Sequence, residues 1–465
     1  MTDFLDRWFR FRERGSSLKL EILGGATTFA TMAYIIVVNP AILQGVRDAE
    51  GNPTGIPLEP STIATILAAV FGCLLMGIYA NRPIAVAPYM GENAFIAFGL
   101  MAGVTWQQRL GSVFVAGVLF LILTLCRARA WLAAAIPANL KHSFAIGIGL
   151  FLLLIGLYET RIVVSPVAGR QIEEVRLDKD KRIAPLDTPV KIGNFNDRAV
   201  QLALAGFVLM AALLYWNVRG GILIAIAAIA VVGYFLDLGE APPGVVDWPW
   251  NYQLERVAFQ LDIPGVLQID FLTILLTLFL ISFLDTLGTL YALGSAAGML
   301  DEKGDLADIE KPMIVDSLAC IFSALVGTST SGAFIESATG IREGARTGLA
   351  SVVTALLFAL ALFFVPLVQP LQQFKFAYGP ALMVVGVMMF GAVRHLETQD
   401  WSELVPAVVT IAMMVFTYNI ANGLTAGLIF HPALKLIAGQ WRKVHPGSAL
   451  LGVLCLLYYV VGTPH

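Results

Sequence analysis

Charge is gathered into a few short stretches, and between them the chain runs through tract after tract with almost none. Residues 1–22 hold nine charged side chains, 159–198 hold fifteen and 299–311 hold seven, so 75 of the 465 residues carry 31 of the 63 charges. What remains reads as windows of about 20 apolar residues with polar punctuation, the pattern of a polytopic helical membrane protein. Apolar residues make up 57% of the chain and charged ones 14%, against roughly 45–50% and about 25% in soluble domains. No compact sphere buries that much apolar surface, and a mean hydropathy of +0.77 makes lipid the solvent. Thirty basic and 33 acidic residues leave a net charge of −3, so no basic surface for nucleic acid is implied. A soluble enzyme, a disordered tail and a DNA-binding module are excluded.

The windows fall near 22–44, 61–80, 84–103, 110–127, 139–157, 199–217 and 220–237, then near 270–294, 312–326, 328–347, 348–370, 379–396, 402–418 and 421–438. That is an all-α polytopic protein of about fourteen spans, with 448–462 as a further span or an interfacial helix. Residues 1–21 are basic and aromatic and read as an uncleaved cytoplasmic head. With that head inside, Arg82, Arg127, Arg129, Lys141, Arg219, Arg342, Arg346 and the Trp441-Arg442-Lys443 turn all fall on the cytoplasmic side, as the positive-inside bias requires. The loop 159–198 lands outside with eight basic and seven acidic residues; it runs against the bias and is long enough for a small extracellular cap. Cys73, Cys126, Cys320 and Cys455 each lie in an apolar tract without metal or redox spacing, and read as reduced core residues.

Two windows make poor helices. Residues 81–93 read NRPIAVAPYMGEN and 326–340 read VGTSTSGAFIESATG, with Gly, Pro and Ser/Thr clusters beside carboxylates that lipid rejects. One reading makes them loops at the membrane surface. The other makes each an extended piece feeding a half-helix at membrane depth, which requires protein or a water-filled cavity around it and turns free N–H groups toward a buried site. The two segments look like copies, with Glu92-Asn93-Ala94 in the place of Glu336-Ser337-Ala338. Asn217-Val218-Arg219-Gly220-Gly221 likewise echoes Asn419-Ile420-Ala421-Asn422-Gly423, and Thr28, Thr31 and Tyr34 echo Thr286, Thr289 and Tyr291. Three echoes in one order imply two seven-span halves, and an odd span count inverts one half relative to the other.

Ionisable residues inside spans are functional candidates; Glu92, Asp285 and Glu336 stand out. Their plainer roles are a helix-packing hydrogen bond for Asp285, a helix cap for Glu336, and a cap or surface charge for Glu92. Their chemical reading is proton coupling, because a carboxylate in a low-dielectric cavity exchanges a proton as its exposure changes. Asp285, Glu336 and Asn93, with half-helix amides, offer the paired donors and acceptors that suit a flat neutral heterocycle such as a nucleobase. Two carboxylates would repel a multiply charged anion. Phe334, Phe95 and Tyr89 are candidate stacking partners, although aromatics in such a chain also face lipid or core.

At these residues the sequence resembles the AzgA-like purine permeases of the nucleobase–cation and nucleobase–ascorbate transporters. GGATTFATMAYIIVVNP (24–40), APYMGENAF (87–95), LDTLGTL (284–290) and GTSTSGAFIESATGIREGARTGLA (327–350) carry the resemblance, which extends over most of 18–447. It implies two inverted seven-span halves with extended pieces before half-helices in spans 3 and 10. It also implies a core of 22–127 and 270–370, a gate of 139–237 and 379–438, and a C-terminal segment at 439–465. The implied activity is proton-coupled import of hypoxanthine, guanine or adenine across the plasma membrane by alternating access. The implied substrate positions fall on Asn93, Asp285 and Glu336; the residues themselves add Ser337, Phe334 and Phe95 as candidate substrate contacts, and Asp285, Glu336 and Glu92 as candidate proton-coupling groups. The sequence departs from many relatives at Ser282, where they carry Asp, and at Tyr89 and Glu92, which add a ring and a carboxylate.

A transporter of another small solute on the same fold (uracil, xanthine, sulfate or a carboxylate) is the nearest alternative, and a channel is another. An enzyme would need a nucleophile–base pair or metal ligands. His142, His395, His431 and His445 lie near span ends or connections, His465 is terminal, and none has catalytic spacing. No metal or cofactor is expected. Lipid-facing and subunit-facing apolar surfaces look alike, so a homodimer and a monomer fit equally.

Overall fold

The structure, a computed structural model, describes residues 2–45, 54–98, 104–126, 128–165, 190–268, 271–299, 306 and 308–461. It is almost entirely helical. The N-terminal head forms α1 (Thr2–Phe9), and Ser17 caps α2 (Leu18–Met32) through its hydroxyl. The first window breaks at Ala33-Tyr34 and resumes as α3 (Ile35–Leu43). Pro40 inside α3 lacks the N–H that would reach the carbonyl of Ile36; the buried Gln372 side chain donates to that carbonyl instead, at 2.8 Å. The second window is α4 (Leu58–Leu75) extended by a π-helical turn to Ala80, and Asn81 ends it in the left-handed region at φ 48°. The third window splits into β1 (Val86–Pro88) and the short α5 (Met90–Phe98).

A capping box at Thr105 and Gln108 starts α6 (Trp106–Leu125), which α7 (Arg129–Ala135) and α8 (Ala138–Glu159) follow. The loop at 159–198 carries β2 (Val163–Val164) and β3 (Lys191–Ile192), paired antiparallel; the rest of the expected cap, 166–189, lies outside the described residues. Next come α9 (Arg198–Tyr215), α10 (Gly221–Phe235), the single turn α11 (Ile263–Val266) and the long α12 (Leu272–Ala296). Then α13 (Glu310–Val326) stops at Gly327, whose φ of 97° suits glycine. The second broken window is β4 (Ser331–Ala333) and α14 (Ser337–Arg342). The chain finishes with α15 (Gly348–Ala361), α16 (Val365–Gln373), α17 (Lys375–Met389), α18 (Trp401–Phe416), α19 (Ile420–Ile437) and α20 (Pro446–Val461).

Nine helices among the described residues are long and apolar enough to cross a membrane. The fourteen expected spans outnumber them because two windows are half-helices, while α10, α13 and α18 fall short of that length. The piece at 448–462 falls in α20, also a short apolar helix. Helices α2, α3, α4, α6, α12, α13 and α15 pack around the broken segments, while α8, α9, α10, α17, α18 and α19 pack on one another. Tight crossings use glycine: a Cβ on Gly348 would strike the Gly77 backbone, and one on Gly386 the Gly149 carbonyl. Small residues at such crossings let membrane helices approach closely. The cysteines are free thiols; Cys73, Cys320 and Cys455 are buried as expected, but Cys126 is exposed, because α6 ends beside it and leaves it at the helix cap.

Candidate functional site

The broken segments pair with each other. β1 and β4 run antiparallel with Val86 opposite Ala333, Ala87 opposite Gly332 and Pro88 opposite Ser331. The Tyr89 N–H donates to the Thr330 carbonyl at 2.9 Å, and the Phe334 N–H to the Ala85 carbonyl at 2.9 Å. Every residue of both strands is buried. Extended backbone without water needs partners inside the protein, and each strand supplies them to the other. The surface-loop reading is therefore set aside. α5 and α14 start from opposite ends of this ladder, so the chain leaves it in opposite directions.

A cavity of about 300 Å³ opens where the two half-helices begin. One wall is Tyr89, Met90 and Gly91, leading into α5; the facing wall is Ala333, Phe334, Ile335 and Glu336, leading into α14. Asp285 and Thr289 enter from α12, Tyr34 from the α2–α3 break, and Val385, Met388 and Met389 from α17. The Tyr34 hydroxyl donates to Glu336 Oε1 at 2.8 Å, which fixes that carboxylate at the rim. The Tyr89 and Phe334 rings are nearly parallel, at 10°, with centroids 6.4 Å apart. Tyr89 is held in place by a hydroxyl contact of 3.1 Å with Thr286, and its ring lies over Gly332, where any side chain would collide with it.

The cavity gathers Asp285, Glu336 and Phe334, with Tyr89, from the residues singled out in the sequence. Asn93, Phe95, Ser337 and Glu92 are not in its wall. An α-helix turns about 100° per residue, so once Met90 and Gly91 face the cavity, Glu92 and Asn93 have rotated behind it. Asn93 donates to Asn39 at 2.8 Å in a buried set with Thr65, Thr328 and Ser329. Phe95 is core. The Ser337 hydroxyl accepts the Ala85 N–H at 2.9 Å and braces the ladder. Glu92, 1% exposed, accepts from the Ser282 hydroxyl at 2.7 Å. Ser282 on α12 is thus the partner of the carboxylate on α5. Counted from the paired strands, Tyr89 corresponds to Phe334 and Glu92 to Ser337, one residue away from the alignment of the two acids that the sequence suggests.

Asp316 was missed. Fully buried on α13, it accepts the Thr286 hydroxyl and the Ala333 N–H, both at 2.9 Å. It therefore ties α12 to β4 directly behind Tyr89. The available signal was a carboxylate inside the 312–326 window, masked by the charged stretch just before it. Among the described residues, no three His, Cys, Asp or Glu side chains are placed so that they could hold a metal ion together.

Comparison with known proteins places this geometry. The family profile described as Permease family, of xanthine/uracil type, matches residues 19–176 and 182–444. The guanine/hypoxanthine permease PbuO of Bacillus subtilis is 35% identical over 97% of this chain and 99% of its own. The adenine permease AdeP of Escherichia coli is 33% identical over 99% of this chain and 97% of its own. Among solved structures, the transmembrane domain of the cyanobacterial bicarbonate transporter BicA superposes with a TM-score of 0.58 over 88% of this chain and 97% of that one, at 17% identity, a likeness of fold. The chain therefore belongs to the nucleobase–cation/nucleobase–ascorbate permease family, on its AzgA-like branch, and is a multi-pass protein of the plasma membrane.

Proposed function

We propose that this permease imports purine nucleobases (hypoxanthine, guanine or adenine) by proton symport, exposing its cavity alternately to the two sides of the membrane. The observation that carries this reading is one small cavity holding two carboxylates, Asp285 and Glu336, beside two parallel aromatic rings, Tyr89 and Phe334. The rings suit a flat heterocycle, and the carboxylates accept its N–H groups. Either carboxylate can carry a proton when closed off from water and release it when the cavity opens. The names of the purine permeases to which the chain is similar favour the same class of ligand.

In this reading the chain has fourteen spans in two inverted seven-span halves. The core is 22–127 and 270–370, and the gate is 139–237 and 379–438. The ladder belongs to the core, and α17 brings Met388 and Met389 from the gate to the cavity mouth. Asn93, Ser337 and Phe95 then act on substrate indirectly, by holding the walls that do touch it. Glu92 is a second proton-carrying group behind α5. An anionic substrate is disfavoured by two carboxylates in one chamber.

The test is uptake of radiolabelled hypoxanthine, guanine and adenine by cells lacking their own purine permeases. Saturable accumulation that collapses on adding an uncoupler is expected. Absence of purine uptake, or uptake indifferent to the uncoupler, would overturn the reading.

A further inference from the structure

Two more cavities lead away from the central one. The first, about 400 Å³, is a cleft between α8 and α12 lined by Asp285, Thr289, Tyr291, Lys141 and His142 among others. The second, also about 400 Å³, is lined by His142, His395, Glu397, Glu403, His431 and His445. His142 borders both, and its ring centroid lies 5.5 Å from that of His395. Four of the chain's five histidines therefore meet around one chamber, although they are scattered from the start of α8 to the segment before α20. That chamber lies at the end of the bundle that carries Lys141, Arg394 and Lys443, the cytoplasmic end by the positive-inside bias.

We propose that His142, passing to His395, is the route by which the proton leaves Asp285 for the cytoplasm. This rests on the proton-symport reading above. Imidazole is the side chain that gains and loses a proton near neutral pH. The cleft has room for about a dozen waters at roughly 30 Å³ each, enough to connect the Asp285 carboxyl to the ring. In the transfer, the carboxyl O–H breaks and its electron pair stays on Asp285 as carboxylate. A ring nitrogen of neutral His142 takes the proton through the intervening water and becomes imidazolium. His395 then accepts it and releases it to bulk water, which restores both rings.

The surrounding charges favour passage over retention. Lys141 and His395 both stand beside the His142 ring, so an imidazolium there would have basic neighbours on two sides. The acids on the far side are already engaged: Lys435 lies 2.8 Å from Glu403 and 3.1 Å from Asp400, and His431 contacts Glu403 at 3.3 Å. Hydrogen bonds from Ser402 and then Lys435 hold the Asp400 carboxyl down to about 2, so it stays ionised and competes for no proton. Glu397, Lys443 and His445 also line this chamber.

The test compares two modes of transport in vesicles containing the full chain, with hypoxanthine as probe. Net uptake driven by an imposed pH gradient requires proton release; equilibrium exchange of labelled for unlabelled hypoxanthine does not. His142→Asn is expected to lower gradient-driven uptake about tenfold or more while exchange stays within about twofold. His395→Gln should lower gradient-driven uptake in the same direction by a smaller factor, about threefold. Full gradient-driven uptake in His142→Asn, or equal loss of both modes, would overturn the relay. A parent protein that exchanges hypoxanthine but ignores the gradient would instead overturn symport, and the relay with it.

Discussion

Segment 82–98 carries its acid, Glu92, two residues into α5, whereas segment 327–347 meets its acid, Glu336, one residue before α14 begins. The strands are paired residue for residue, and Tyr89 and Phe334 leave them at matching places. A single step of helical phase then separates the two carboxylates. Glu336 reaches the cavity and is held by Tyr34, whereas Glu92 turns behind it to Ser282. Similar short motifs in the two crossings therefore occupy different environments, and a carboxylate's role follows from which side of the ladder it reaches.

The comparison is sharpest if the two acids are removed in turn. Glu336→Gln, like Asp285→Asn, is expected to reduce concentrative uptake by about 100-fold while membrane insertion stays intact, since each loses a charge-assisted contact in the cavity. Transport rates with immunoblots of the membrane fraction check this. If Glu92→Gln proved equally severe, the distinction between the two crossings would break.

An intermediate effect separates the site from its support. Tyr34→Phe removes the donor to Glu336 and should weaken substrate affinity about tenfold, while Ser337→Ala strips the buried Ala85 N–H of its acceptor and costs roughly 1–3 kcal/mol of stability. Binding isotherms alongside thermal melts in detergent distinguish the two. A Ser337→Ala protein that melts normally but binds tenfold more weakly would move Ser337 into the site. The smallest change in affinity is expected for Glu92→Gln, within about twofold, because Gln still accepts from Ser282. Its pH profile for uptake should nonetheless shift, and an unaltered profile would strike Glu92 from the proton carriers.

Much of this was legible in the sequence for identifiable reasons. Apolar length and charge segregation mark the crossings, and Gly, Pro and Ser/Thr clusters beside carboxylates mark the two that break. Asp285 and Glu336 were found because a carboxylate inside an apolar window stands out. That Asn93 and Phe95 lie behind the cavity wall was not legible, because adjacency in sequence hides the turn between successive helical residues. Asp316 escaped notice because its partners, Thr286 and the Ala333 N–H, come from other elements. Val385, Met388 and Met389 read like any lipid-facing stretch of α17. The convergence of four histidines needed the packing of α8, α18 and α19.

The ladder between β1 and β4 also bears on how the protein is made. Membrane insertion proceeds from the N-terminus, so the strand at Val86–Pro88 is synthesised long before its partner at Ser331–Ala333 exists. Until then its carbonyls and amides have no mates, and neighbouring segments must shelter them from lipid. A ribosome stalled anywhere before Phe334 leaves a chain with no such chamber, however many crossings it has already made.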